Sequence, residues 1–145
     1  MTGNEQVETP ETVGTTEREV LAAADALVRA FASGRSAAYF ACFAPEATFV
    51  FHTTPQRLGS RAAYEALWEQ WVSEDGFAVV SCASADQVVQ VLGSDAAVFA
   101  HDVTTVVEVG GEREELHERE SIVFARRDGV WMAVHEHLSP APLVQ

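Results

Sequence analysis

The sequence predicts an α+β domain: a curved antiparallel sheet with three N-terminal helices, forming a cone with an internal pocket. Three observations carry this. Helix-spaced apolar residues occupy the first half of the chain, strand-like runs occupy the second, and Glu115 to Pro140 writes out a hairpin. Helices gathered first and antiparallel strands gathered last place the helices on one face of the sheet. The concave side then encloses a cavity, the default small-molecule site when it is mostly apolar with a few polar groups.

Residues 1–15 hold Thr, Glu, Gly and Pro with little apolar content, which predicts a disordered acidic leader before a single domain over 16–145. Thr16 and Glu19 have capping-box spacing, each side chain able to satisfy a backbone N–H of the other at a helix start. Val20, Leu21, Ala24, Leu27, Val28 and Phe31 follow at helical spacing, and Gly34 ends the run. A short helix over Ser36 to Phe43 presents Tyr39 and Phe40 before Pro45 stops it. Ala47 to Thr54 reads as a strand. Ser60 caps a third helix whose stripe is Tyr64, Leu67, Trp68, Trp71 and Val72. Phe77 to Leu92 and Ala96 to Val109 form a hairpin about Gly93, Ser94 and Asp95. Gly110 and Gly111 lead through an acidic loop into the last hairpin.

In that hairpin Arg127, Asp128 and Gly129 suit a type I turn closed by a glycine bulge, so Arg126 faces Val130. Parity then puts Glu118, Glu120, Ile122, Phe124, Met132, Val134, Glu136 and Leu138 on one face, with Glu120 opposite Glu136. The other face carries His117, Arg119, Ser121, Trp131, His135 and His137. Like charges directly across a ladder are destabilising, so an acidic pair beside Ile122 and Phe124 is either solvated or used.

Composition narrows the chemistry. A net charge of -13 argues against nucleic-acid or anionic-membrane partners, which need basic surface. All nine basic residues are arginine, so lysine Schiff-base chemistry is excluded. Cys42 and Cys82 lack metal or redox spacing and read as buried thiols of a reducing compartment. The start of the chain has no secretory pattern and no apolar run approaches ~20 residues. A cytoplasmic location is expected.

The order of elements, the tryptophan-rich end of the third helix and the closing RRDGVWMAVHEHLSP resemble the SnoaL-like branch of the ketosteroid-isomerase-like, or nuclear-transport-factor-two-like, superfamily. Arg119, Ser121, Gly129, Trp131, His135, His137 and Ser139 carry the resemblance, which covers about residues 17 to 140. It implies the cone fold but no single function, because the fold carries isomerases, cyclases, dehydratases, epoxide hydrolases and non-catalytic association domains. By the same resemblance Val134, Glu136 and Leu138 point into the cone, as do Ala100, Asp102 and Thr104. Phe51 or His52 stands where the isomerase branch has its general-base aspartate, and Ala100 where the epoxide-hydrolase branch has arginine.

The expected site is therefore Asp102, Glu120 and Glu136 as acid–base groups, with His52 at the rim as a further acid or base. Asp102 and Glu120 would form the working pair, with Glu136 tuning them by repulsion. Tyr39, Phe51, Tyr64, Trp71, Ile122, Val134 and Leu138 would line the substrate pocket. Carboxylates close together in an apolar cavity titrate as a pair, one protonated and one ionised. Such a pair suits enolisation, ring closure or dehydration of a small carbonyl compound without a cofactor. His135 and His137 are spaced to share a face, but a metal needs at least three convergent ligands, and no metal is expected. With His101 and Arg119 they are assigned instead to the outer sheet face, as the interface of a homodimer. The alternative function is a non-catalytic ligand-binding or association domain.

Overall fold

The computed structural model describes residues 9–142, so most of the expected leader lies outside the described residues. The first helix, α1, spans Pro10–Ala32 and begins earlier than Thr16. Thr9 caps it, its hydroxyl accepting from the Thr12 N–H, and Pro10 occupies the first turn, where its missing N–H costs nothing. Thr16 is buried inside the helix, and Glu19 accepts from the Trp131 indole N–H rather than capping. Helix α2 spans Ser36–Phe40, and strand β1 spans Phe43–Phe51. Helix α3 spans Arg61–Asp75, capped by Ser60 and ended by Gly76, whose φ of 63° is the left-handed turn that glycine supplies.

Strands β2 (Ala78–Val91), β3 (Ala96–Val109), β4 (Glu112–Arg127) and β5 (Val130–Pro140) complete the order read from the sequence. The five strands form one curved, unclosed sheet in the order β1-β5-β4-β3-β2. Consecutive strands β2 to β5 pair antiparallel, and β1 joins the outer side of β5 in parallel. The expected acidic loop after Gly111 does not exist. Val109 pairs directly with Glu112 across the two glycines, and Glu112 to Glu115 continue the strand at an exposed tip where charge is tolerated.

The last hairpin turns more tightly than expected. Asp128 and Gly129 both have positive φ, 51° and 77°, which makes a two-residue type I′ turn with Arg127 opposite Val130. The frame is therefore offset by one residue near the turn, and Ala133, not Met132 or Val134, points into the core. A one-residue bulge at Val134 then corrects it: Ala133 pairs with Phe124 and His135 with Val123. Beyond the bulge Glu136 faces Ile122, and Glu120 faces Leu138 rather than Glu136. The two glutamates still share the inner face, as diagonal neighbours.

The core fills the angle between helices and sheet. Val20, Ala24 and Leu27 of α1, Tyr64 and Trp68 of α3, and Phe49, Phe99, Ile122 and Phe124 of the sheet form one cluster. Tyr39 and Phe40 of α2 join it through edge and tilted ring contacts. Among the described residues no helix is long and apolar enough to cross a membrane.

Candidate active site

A cavity of about 120 Å³ lies between the helices and the inner face of the sheet. Its walls are apolar: Leu27 and Phe31 from α1, Tyr64, Trp68 and Trp71 from α3, and Leu138 from β5. Its polar groups are dominated by three carboxyls, Glu118, Glu120 and Glu136, each more than nine-tenths buried. The aromatic side chains take up much of the cone, which makes the cavity smaller than the ~300 Å³ at which drug-sized pockets begin.

Of the expected lining, Tyr39, Phe51, Tyr64, Trp71 and Leu138 border the cavity with Glu120 and Glu136. Ile122 does not; it is fully buried in the core beneath. Val134 does not either, because it is the bulged residue of β5. His52 sits just past β1 with its ring partly exposed, its Nε2 2.5 Å from Glu118 Oε2. It therefore reaches the site through Glu118.

Two assignments on β3 are reversed. Asp102 is exposed on the outer face, 3.9 Å from Arg119, and takes no part in the cavity. His101, expected outside, is buried behind Glu120 with no solvent contact of its side chain. The inner face of β3 carries Ala97, Phe99, His101, Val103, Thr105 and Val107, whereas Asp102 and Glu108 are on the other. Charge alternation along this strand alone points to that orientation. Glu118 could have been found in the same way, by its parity with Glu120.

The buried groups form two hydrogen-bonded runs that end at the neighbouring carboxyls Glu136 and Glu120. Tyr64 and Tyr39 share a hydroxyl hydrogen bond of 3.0 Å, and the Tyr39 O–H donates to Glu136 Oε1 at 3.3 Å. The Glu136 and Glu120 carboxyls, diagonal neighbours on the inner face, act on each other's charge. Glu120 Oε1 is 2.6 Å from His101 Nε2, and His101 Nδ1 is 2.5 Å from Ser84 Oγ. The Gln87 amide donates to the same Ser84 oxygen at 2.9 Å.

Hydrogen-bond directions assign the protons along the run that ends at Glu120. Burial lowers His101 to about 4, against the raising influence of Glu136 and Asp102, so its ring is neutral at neutral pH. With Gln87 donating to Ser84, the Ser84 O–H is free to donate to Nδ1, which leaves the ring proton on Nε2, aimed at Glu120. Glu120 thus accepts a hydrogen bond from the imidazole. Burial raises both carboxyls, and Glu136, facing the charge of Glu120, is raised well above the usual range. Of the two, Glu136 is the harder to ionise, and the imidazole contact favours the charge on Glu120. Burial likewise raises both tyrosines well above their ordinary value and the Cys82 thiol to about 11, so none of these is a ready nucleophile.

The arrangement supplies a base and an acid side by side, both buried on the wall of an apolar cavity, the geometry proton abstraction and return require. Among the described residues no three His, Cys, Asp or Glu side chains group as a metal set.

The model of the SnoaL-like domain family matches residues 20–143. The chain belongs to the SnoaL-like domain family. No curated protein matches it significantly in sequence. Solved structures place this SnoaL-like chain in the wider nuclear-transport-factor-two-like fold. A provisionally assigned scytalone dehydratase from Novosphingobium aromaticivorans superimposes with a TM-score of 0.77 at 14% identity, over 92% of this chain and 89% of that one. A provisionally assigned calcium/calmodulin-dependent protein kinase II association domain from Xanthomonas campestris gives 0.72 at 25% identity, over 88% and 89%. A nuclear-transport-factor-two-like protein from Salmonella enterica gives 0.74 at 18% identity, over 92% and 96%. The fold therefore spans proteins described as enzymes and as association domains.

Proposed function

We propose that this SnoaL-like protein is a cofactor-independent acid–base enzyme, of isomerase, cyclase or dehydratase type, acting on a small, largely apolar carbonyl compound. The observation that carries the reading is the pair of buried carboxyls, Glu120 and Glu136, side by side on the wall of an apolar cavity. Glu120 removes a proton beside the carbonyl. Glu136, with Tyr39 behind it, donates to the carbonyl oxygen as charge develops there. Asp102 has no part in this pair.

The cavity limits the substrate. At about 120 Å³ it is a little smaller than a cavity that admits benzene, about 150 Å³, so a ligand of about six non-hydrogen atoms fits it. No arginine lines it, so a buried anion would find no cationic partner there. A neutral ketone or enone is the matching class. The two free thiols suit a reducing compartment, the cytoplasm.

The test is exchange of the α-protons of small cyclic ketones in deuterium oxide, followed by proton NMR. At least one ketone should exchange faster with protein than in buffer, and Glu120→Gln should remove the gain. A panel that shows no protein-dependent exchange would sink the catalytic reading.

The second reading, an association domain, draws on the likeness to structures described by that name. A homodimer through the outer sheet face would use Arg119, His135 and His137; His101 is no longer a candidate for it. Sedimentation of the protein and of Arg119→Glu measures this directly, with a monomeric wild type counting against the interface.

A further inference from the structure

We infer that His101 and Ser84 form a proton path connecting the buried carboxyl pair to solvent at the β2 edge of the sheet, separate from the cavity mouth. The path presupposes Glu120 as the base proposed above, because a base enclosed by aromatic walls must release and regain its proton between turnovers.

The geometry is continuous. Glu120 Oε1, His101 Nε2, His101 Nδ1 and Ser84 Oγ are linked by contacts of 2.6 Å and 2.5 Å, short for neutral hydrogen bonds. His101 borders no part of the cavity and has no solvent contact, so it serves only to join its two neighbours. Ser84 is half-buried, and its next partner, the Gln87 amide, is exposed. β2 is an edge strand, so nothing in the sheet lies beyond Ser84 on that side.

The local backbone is built for this contact. The pairing of β2 with β3 slips between Ala85 and Val88, and Asp86 has a φ of 53°, a left-handed conformation unusual for a residue with a side chain. The irregularity lets Gln87, three residues on, hydrogen-bond back to Ser84. β-Bulges of this kind commonly re-aim a side chain beside an active site.

The transfer balances. Water gives a proton to Ser84 Oγ as the Ser84 O–H passes its own to Nδ1, and the ring gives its Nε2 proton to Glu120; the reverse shifts return Glu120 to its ionised form and the ring to the Nε2–H tautomer. The imidazole carries no net charge at either end of the shift. Glu136, hydrogen-bonded to Tyr39, stands outside this run of contacts. The charged groups acting on His101 are Glu120 and Glu136 from inside the cone and Asp102 from its own strand.

The test needs no substrate. Full-length protein with isotope-labelled imidazole nitrogens reports by NMR the tautomer of His101 and the rate at which its Nε2 proton exchanges with water. Ser84→Val and Ser84→Thr are close in shape and differ by a methyl in place of a hydroxyl. In Ser84→Val the exchange should slow by about tenfold or more, as when one positioned proton-transfer group is removed, and Ser84→Thr should restore it. Gln87→Ala, at an exposed position, should turn the single Nε2–H tautomer into a mixture. Glu118→Gln, beside the partly exposed His52, should leave the exchange rate where it is. Equal rates in Ser84→Val and Ser84→Thr, or slowing by Glu118→Gln instead, would show that the proton leaves by another route and would overturn the path. Ketone exchange that fails while the Ser84 dependence holds would remove the catalytic reading and leave the path standing.

Discussion

Two neighbouring cross-strand pairs on β3 and β4 carry nearly the same chemistry in opposite surroundings. His101 faces Glu120 and the next pair, Asp102 and Arg119, lies one step along the ladder. The first points into the cone, closes to 2.6 Å and has lost its water. The second points outward, stands 3.9 Å apart and keeps more than half of each side chain in solvent. Residue type does not separate them, since each joins a carboxylate to a basic side chain. Desolvation does: it turns the inner pair into a neutral imidazole holding a carboxylate, whereas the outer one remains a screened surface ion pair.

The largest contrast is expected in activity. Glu120→Gln should lower the protein-dependent ketone exchange by about 10²–10⁴, the usual contribution of one positioned acid–base group, and Asp102→Asn should leave it at the wild-type rate. Loss in both variants would mean that the face, not the carboxylate, matters. Stability should separate the pairs next. His101→Ala leaves a hole behind Glu120 and strips it of a donor, at a cost of about 2–4 kcal/mol in urea unfolding.

The third contrast is in pH dependence. The His101 ring, held at about 4 in the fold, reverts to 6.5 on unfolding, so the unfolded chain binds the extra proton first. Stability should therefore fall as pH drops from 6.5 towards 4, by about 3 kcal/mol, and His101→Gln should flatten this limb. Glu136, raised in the fold, has the opposite sign. Its contribution is complete below its unfolded value of 4.5 and is lost as pH rises through its folded value, so Glu136→Gln should gain relative stability towards alkaline pH. The smallest effect belongs to the outer pair: Arg119→Ala should change unfolding by less than about 1 kcal/mol, and less again at high salt.

The same contrast explains how far the sequence could be read. The stripe of α1, the Ser60 cap and the bounds of β3 followed from spacing and turn residues alone, because burial of one face imposes a period that composition records, whereas Val72 of the expected α3 stripe is exposed. Orientation on β3 did not follow from the family likeness, which put Asp102 inside, although the uncharged set Phe99, Val103 and Thr105 marks the other face as the buried one. Glu136 was placed inside by the family likeness and Glu120 beside it by parity, but from a turn one residue longer than the real one. An extra residue at Val134, invisible to alternation, cancelled that difference. Neither the parallel seat of β1 on β5 nor the helix start at Pro10 was legible. The first depends on a contact between distant segments, and the second on a single cap outside the apolar pattern.

The bulge at Val134 has a wider meaning. Past it, β5 reads His135, Glu136, His137, Leu138, so the strand bears two interleaved chemistries, imidazole on one side and carboxyl on the other. Without the offset the same residues would present His135 and His137 to the cone and Glu136 to the outside. A single residue of slack thus decides whether the interior is equipped for carboxylic acids or for imidazoles. The strand encodes both alternatives, and reactivity here could be exchanged by moving the frame without changing a single functional side chain.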